Sequence, residues 1–95
     1  MGTTTLLEII QTLDDLDPEA TIYAATPWTE SSKAIVMNEE ESRHLPSEIQ
    51  KLGLKYFLEV SIANDFLQGF AANSEVDPSI QQKCSRLIQY AINDA

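Results

Sequence analysis

The stretch TIYAATPWTESSKAIVM, residues 21–37, decides the fold expected for this chain. Its two ends, Thr21–Ala25 and Ala34–Met37, are rich in β-branched and aromatic residues, which favour strands. Between them lie Pro27, the only tryptophan, Trp28, and two serines, a composition typical of a turn. The stretch therefore predicts two antiparallel strands joined by a long loop. Because two strands alone are marginally stable in water, this ribbon must pack on helices or on a second copy of itself.

A helix is expected before the ribbon. Apolar residues recur at steps of three and four from Leu6 to Leu16, so they share one face of a helix. Thr4 or Thr5 is the expected cap, and Asp17-Pro18 is the expected end, because the residue before a proline is pushed out of the helical region.

Two further helices are expected after the ribbon. Tyr56-Phe57-Leu58 is typical of a strand, but the apolar residues from Tyr56 to Phe70 follow helical spacing, so we interpret 54–72 as a helix. Asp77 is the expected cap of the last helix, residues 78–93, with Pro78 at its first position. An acidic loop, 38–44, and a short helical turn, 46–52, ended by Gly53, are expected between the ribbon and these helices.

The elements follow one another in the order α-β-β-α-α. A chain of 95 residues, 43% of them hydrophobic, has the size and composition of one small domain, residues 1–95. We therefore expect an α+β fold in which a two-stranded antiparallel ribbon packs on helices. A domain this small has a modest core, so a homodimer is expected to add stability.

The charge of the chain constrains its partners. Fifteen Asp and Glu residues against six Lys and Arg give a net charge of −9, which repels nucleic acid and anionic lipid and favours a basic protein partner. Glu39, Glu40 and Glu41, or the acidic run at 14–19, are candidates to steer such a partner. No apolar run is long enough to span a membrane, no basic signal segment precedes one, and one cysteine makes no internal disulfide, so a cytoplasmic location is expected.

The residues that carry common enzyme chemistry are sparse. His44 has no second histidine or nearby cysteine to complete a zinc site, and Cys84 lies on the apolar stripe of the last helix, which predicts burial rather than nucleophilic reactivity. The three glycines are isolated, so they form no phosphate-binding loop. We expect no catalytic residue, metal ion or cofactor.

Two alternatives to an interaction domain stay open. Tyr23, Trp28, Tyr56 and Glu59 are candidates for a pocket that binds a small ligand or substrate, because aromatic rings and one carboxylate suit an amphipathic or cationic molecule. The last helix carries Lys83 and Arg86 and no acidic residue between 78 and 93, which loosely resembles the second helix of a helix-turn-helix. Two cations are few for binding duplex DNA.

The runs TIYAATPWTESSKAIV, residues 21–36, and GLKYFLEVSIANDFLQGF, residues 53–70, resemble a family of small uncharacterised bacterial proteins found in cyanobacteria and proteobacteria. The shared pattern is Ile-Tyr-Ala, then Pro-Trp, then Tyr-Phe-Leu-Glu-Val with Ile-Ala soon after. The resemblance spans most of residues 20–70 and carries no activity. It implies that the Pro-Trp turn and the Tyr-Phe-Leu-Glu-Val segment belong to one structural unit.

The sequence thus predicts a noncatalytic, acidic protein-interaction domain, such as an antitoxin, an immunity protein or a regulatory adaptor. It also raises a question about Trp28. The ring is packed against the 56–60 segment of its own chain, or against the same loop of a second copy, or it is exposed as a binding surface.

Overall fold

The structure is a computed structural model, and it describes residues 4–38, 51 and 53–94. These residues form a four-stranded antiparallel sheet, in the strand order β1-β3-β2-β4, with helices on one face. The elements are β1 (Thr4–Thr5), α1 (Leu6–Gln11), a 3-10 helix (Leu13–Asp15), β2 (Thr21–Ala25), β3 (Lys33–Met37), β4 (Leu54–Glu59), α2 (Val60–Ala72) and α3 (Ile80–Asp94).

The α+β class is confirmed, and the predicted ribbon is correct but incomplete. β2 and β3 pair antiparallel from Thr21 opposite Met37 to Ala24 opposite Ala34. β1 adds to the outer edge of β3, and β4 adds to the outer edge of β2. The predicted order α-β-β-α-α is therefore wrong in detail, because the sequence signal for a two-residue strand such as β1 is too short to recognise.

The helix predicted over 54–72 is wrong for its first six residues, which form β4. The register between β2 and β4 shifts at Phe57, because Tyr56 lies opposite Tyr23 while Leu58 lies opposite Ile22. This β-bulge turns both Phe57 and Leu58 toward the core. The sequence of β4 therefore lacks the alternation of apolar and polar residues that identifies a strand. Its apolar positions continue directly into those of α2.

Helix α1 is capped as predicted but is shorter than predicted. The Thr5 hydroxyl accepts a hydrogen bond from the backbone N–H of Glu8 at 3.2 Å. The α-helix ends at Gln11, and the chain continues as the 3-10 helix. At the junction the Thr12 hydroxyl donates back to the carbonyl oxygens of Glu8 and Ile9, a bonding pattern that bends or ends helices.

Helix α3 begins two residues later than the sequence predicted. Ser79, not Asp77, caps it: the Ser79 hydroxyl accepts from the Gln82 backbone N–H at 3.1 Å. The Gln82 side chain in turn accepts from the Ser79 backbone N–H at 2.9 Å. This reciprocal pair is a capping box, which satisfies two N–H groups at once and so outcompetes a cap at Asp77.

The sheet has two different faces. The inner face contacts α1, α2 and α3 and carries the main core, which is formed by Leu6, Ile9, Ile10, Leu13, Ala20, Ile22, Ala24, Ala34, Phe57, Leu58, Val60, Ala63, Leu67, Cys84, Leu87, Ile88 and Ala91. The outer face carries a smaller buried cluster, Ile35, Met37 and Leu54, with Tyr23 and Ala25 partly buried beside it. Position along each strand therefore decides which cluster a side chain joins.

Several predictions fall on residues outside those that the structure describes. They are the acidic loop with Glu39, Glu40 and Glu41, the lone His44, and the helical turn that ends before Gly53. Gly53 itself has φ 71°, a left-handed conformation that favours glycine, directly before β4. Among the described residues, no helix combines the length and apolar character needed to cross a membrane.

Candidate functional site

Trp28 packs against its own chain. Its ring meets the Phe57 ring edge to face, with centroids 4.9 Å apart and planes at 87°. The indole Nε1 donates a hydrogen bond to the carbonyl oxygen of Ala24 at 3.1 Å. The side chain is partly buried against the main core, so its contacts join the β2–β3 loop to β4.

The loop that carries Trp28 is held by its own hydrogen bonds. The buried Ser32 hydroxyl donates to the Pro27 carbonyl oxygen at 3.2 Å and accepts from the Thr29 N–H at 2.8 Å. The Ser32 and Glu30 carbonyl oxygens accept from the first two N–H groups of α1, those of Leu6 and Leu7, at 2.9 and 3.1 Å. Because these N–H groups have no partner inside the helix, the loop satisfies them and fixes where α1 begins.

The aromatic pocket that the sequence suggested is not assembled. Tyr23 and Tyr56 do meet, with ring centroids 6.5 Å apart and planes at 84°, but on the outer face. Trp28 belongs to the core cluster of the inner face. The sheet therefore separates Trp28 from the two tyrosines, while the exposed Glu59 lies at the end of β4.

Acidic residues flank the place where the turn after the 3-10 helix bonds to the start of α2. The Pro18 and Ala20 carbonyl oxygens accept from the N–H groups of Ser61 and Val60, at 3.1 and 2.9 Å. These bonds join the segment 14–20, which carries four acidic residues, to the end of β4. We call the resulting set the acidic corner; its members, all exposed, are Asp14, Asp15, Asp17, Glu19 and Glu59.

The sequence revealed only part of the acidic corner. The run at 14–19 is visible as a charge cluster, but Glu59 joins it only because Thr21 pairs with Glu59 across β2 and β4. Within the described residues, no group of three or more His, Cys, Asp or Glu side chains is arranged to hold a metal ion. The corner is an open set of charges on the surface.

A groove lies between α1 and β3, and sequence reasoning missed it entirely. Within the described residues, β1 pairs with β3 at Lys33 and Ala34. We call the cleft there, of about 410 Å³, the edge groove; it is lined by Thr4, Glu8, Ile9, Thr12, Leu16, Ala34, Ile35 and Val36. It depends on how α1 packs beside β3, a contact between separate segments that residue spacing does not report.

The two cations of α3 lie in different clefts. Arg86 lies over the Phe70 ring, 5.6 Å from its centroid, and lines a cleft of about 480 Å³ between α2 and α3. Lys83 lines a smaller cleft of about 200 Å³ together with the acidic Asp14. Lys83 and Arg86 thus line separate clefts.

Cys84 is fully buried in the main core, as its place on the apolar stripe predicted. Burial, together with the negative charge of Glu30, raises the pKa of its thiol from 9.0 to about 11. A thiol with so high a pKa is almost fully protonated near neutral pH, and the thiolate is the nucleophilic form.

Comparison with protein-family models, with curated proteins and with solved structures gave no match for this chain. The resemblance to small bacterial proteins therefore stays a prediction. The functional argument rests on the geometry and charge of the surfaces described above.

Proposed function

We propose that this chain is a noncatalytic protein-interaction domain that binds a basic partner, in the manner of an antitoxin, an immunity protein or a regulatory adaptor in the cytoplasm. The observation that carries the proposal is the acidic corner. Five exposed acidic residues lie on two segments, 14–19 and 59, which backbone hydrogen bonds and strand pairing join, on a chain whose net charge is −9.

An exposed cluster of charge attracts a partner before the two proteins touch. A cluster of like charges attracts an oppositely charged surface over roughly 10 Å at moderate salt, and it speeds diffusional encounter more than it tightens the final complex. Such attraction needs no fixed ligand geometry, which fits an open corner better than a catalytic site does. We therefore expect the partner to associate rapidly and its association rate to fall with salt.

The test compares two variants with the same change of net charge. Asp15→Lys with Glu19→Lys reverses charge in the acidic corner, whereas Glu75→Lys with Asp77→Lys reverses it at exposed positions in the α2–α3 connection. Immobilised protein captures partners from lysate of the source organism, and the purified partner is then measured by stopped flow. The corner variant is expected to lower the association rate about tenfold at low salt, and the control less than about twofold.

Two results would count against the proposal. If the association rate falls equally in the two variants, only the total charge of the chain matters. If the association rate does not depend on salt, the acidic corner does not attract the partner electrostatically. If repeated capture under mild salt recovers no specific protein, the interaction function itself is abandoned.

We propose further that the domain is a homodimer. The feature that supports it is Tyr56, which lies half exposed on the edge strand β4 beside Tyr23, because tyrosine is enriched at protein interfaces. Light scattering at high micromolar concentration is expected to give twice the monomer mass. A monomer mass under those conditions contradicts it.

Binding of a small ligand is the second candidate, and the cleft beside Arg86 favours it. Phe70 and Arg86 line this cleft together with the acidic Asp77 and polar side chains such as Gln82, a mixture suited to a molecule that places an apolar part on Phe70 and an anionic group at Arg86, away from Asp77. A thermal-shift screen of anionic metabolites is expected to find stabilisation that Arg86→Gln abolishes and Lys83→Gln preserves. A flat response across the panel removes this candidate.

A further inference from the structure

The cleft that Lys83 lines lies where separate helical segments meet. Helix α1 contacts α3, and α2 contacts both α3 and the 3-10 helix. The cleft has a volume of about 200 Å³, and its lining side chains come from the segments 10–14, 64–71 and 80–83. We call it the Lys83 cleft. All three segments lie well inside the described stretches 4–38 and 53–94.

Polar side chains from each of these segments line the cleft. Those that carry a charge or a primary amide are Gln11, Asp14, Asn64, Gln68 and Lys83. Asn64 and Gln68 are four residues apart on α2, so they are neighbours on one side of the helix. Within the described part of the chain, these five side chains make no hydrogen bond or ion pair. Three amides and two opposite charges are therefore available to a ligand.

The cleft also has an apolar floor. Ile10, Leu13 and Leu67 belong to the main core and line the cleft as well. Sites for small molecules combine an apolar lining with a few polar groups that fix the orientation of the ligand. The volume of the Lys83 cleft is below the roughly 300–1,000 Å³ of sites for drug-sized ligands, so it suits a smaller molecule.

The two charges select the kind of molecule. Asp14 belongs to the 3-10 helix and Lys83 to α3, and no ion pair joins these two described residues. Opposite charges that line one cleft without pairing complement a ligand that carries both signs. An α-amino acid offers a carboxylate to Lys83 and an ammonium group to Asp14. Amide side chains both donate and accept hydrogen bonds, so they can contact either group.

We propose that the Lys83 cleft binds a free α-amino acid with an aliphatic side chain, about the size of leucine. Its carboxylate pairs with Lys83, its ammonium group pairs with Asp14, and its side chain packs on Leu13 and Leu67. This site is separate from the cleft beside Arg86, and it does not depend on the proposed basic partner.

The experiment titrates the full chain with L-leucine and with two analogues that each lack one charge. Isocaproate lacks the ammonium group, and isoamylamine lacks the carboxylate. L-leucine is expected to bind with a dissociation constant of about 1 mM or lower, measured from backbone amide chemical shifts. The shifts should centre on residues 10–14, 64–71 and 80–83. Each analogue is expected to bind about three- to tenfold more weakly, because it loses one charge-assisted hydrogen bond at a partly solvated site.

Two matched pairs of variants assign the charges. Lys83→Gln is compared with Arg86→Gln, and Asp14→Asn with Asp15→Asn; only the first member of each pair lines the cleft. Lys83→Gln and Asp14→Asn are each expected to weaken leucine binding about three- to tenfold, and the two controls less than about twofold. Lys83→Gln should also abolish the preference for leucine over isoamylamine, and Asp14→Asn the preference over isocaproate. The melting temperature of each variant establishes that it remains folded.

Four outcomes would overturn the inference. One is the absence of saturable shifts up to about 10 mM L-leucine, roughly ten times the expected dissociation constant. The others are equal binding of leucine and its two analogues, equal effects within each pair of variants, and shifts that centre on the cleft beside Arg86. Because no basic partner is present in these titrations, their failure leaves the proposed interaction function untouched.

Discussion

Two aromatic pairs lie on opposite faces of the same sheet, and the angle between the two ring planes is nearly the same in both. Trp28 meets Phe57 on the inner face at 87°, and Tyr23 meets Tyr56 on the outer face at 84°. Their surroundings differ sharply, because Phe57 is 1% exposed whereas Tyr56 is 50% exposed. The inner pair therefore contributes to the core, and the outer pair lies at the surface.

The difference between the pairs comes from two adjacent residues of one strand. Tyr56 and Phe57 would point to opposite faces in any regular strand, but the bulge also turns Leu58 inward with Phe57. Ring type and ring geometry thus do not decide whether an aromatic side chain supports the fold. The face of the sheet that the residue occupies decides it, and the comparison can be tested by mutation at each site.

The largest effect is expected from Phe57→Ala. Removing a fully buried ring leaves a cavity beneath Trp28, and substitutions of this kind cost about 3–5 kcal/mol of unfolding free energy. Denaturant unfolding followed by circular dichroism measures the loss. If Phe57→Ala does not fold, Phe57→Leu, which keeps apolar bulk, is expected to lose roughly half as much or less. A loss no greater than that of Tyr56→Ala would break the distinction between the two faces.

The sequence predicted the ribbon, the first helix with its Thr5 cap, and the burial of Cys84, because each depends on local residue types or on spacing along one element. It did not predict β4, because a bulge produces a run of apolar residues that resembles a helix. It placed the start of α3 at Pro78 because it overlooked the reciprocal bonds of Ser79 and Gln82.

The candidate surfaces were harder to predict than the fold. The acidic corner and the edge groove both depend on pairing between distant segments, which residue spacing does not report. The predicted pocket failed for the same reason: Trp28 and Tyr23 are close in sequence, but the alternation of β2 and the return of the loop put them on opposite faces of the sheet.

The next largest effect is a pH dependence of the unfolding free energy, which reports the burial of Cys84 on the inner face. The folded protein keeps the Cys84 proton up to about pH 11, whereas the unfolded chain releases it near 9.0. Between these values the unfolded state binds fewer protons, so stability falls as pH rises and is fully retained below 9.0. The loss is about 2–3 kcal/mol. Wild type is compared with Cys84→Ala, since subtraction removes the titration of tyrosines and lysines.

If water is excluded from the Cys84 thiol, wild type loses more unfolding free energy than Cys84→Ala between pH 9 and 11. Parallel stability profiles of wild type and Cys84→Ala between pH 9 and 11 would mean that water reaches the thiol. Native-state labelling with a thiol reagent gives an independent measure, since a buried, protonated Cys84 is expected to react only when the protein opens.

Ser32→Ala is expected to have an intermediate effect on the inner pair. It leaves the Thr29 N–H and the Pro27 carbonyl without the Ser32 hydroxyl, at a cost of about 1–2 kcal/mol. Because Trp28 is the only tryptophan, its fluorescence reports the loop directly, and a shift of its emission to longer wavelength is expected. The exposed neighbour substitution Ser31→Ala serves as the control and should change neither quantity.

Tyr56→Ala is expected to have the smallest effect on the monomer. The ring is half exposed, and losing its edge contact with Tyr23 is expected to cost about 0.5–1.5 kcal/mol. The size of this loss should depend on protein concentration if Tyr56 also contacts a second copy, since dimerisation stabilises the folded state by mass action. Unfolding is therefore measured at low and at high micromolar concentration, with light scattering on the same samples.

A loss of unfolding free energy that grows with concentration, together with a reduced mass for Tyr56→Ala, places the dimer contact on the outer face. An identical loss at both concentrations excludes Tyr56 from the dimer contact. In that case the outer pair would matter only for the stability of the single chain, and the contrast with Trp28 and Phe57 would be one of burial alone.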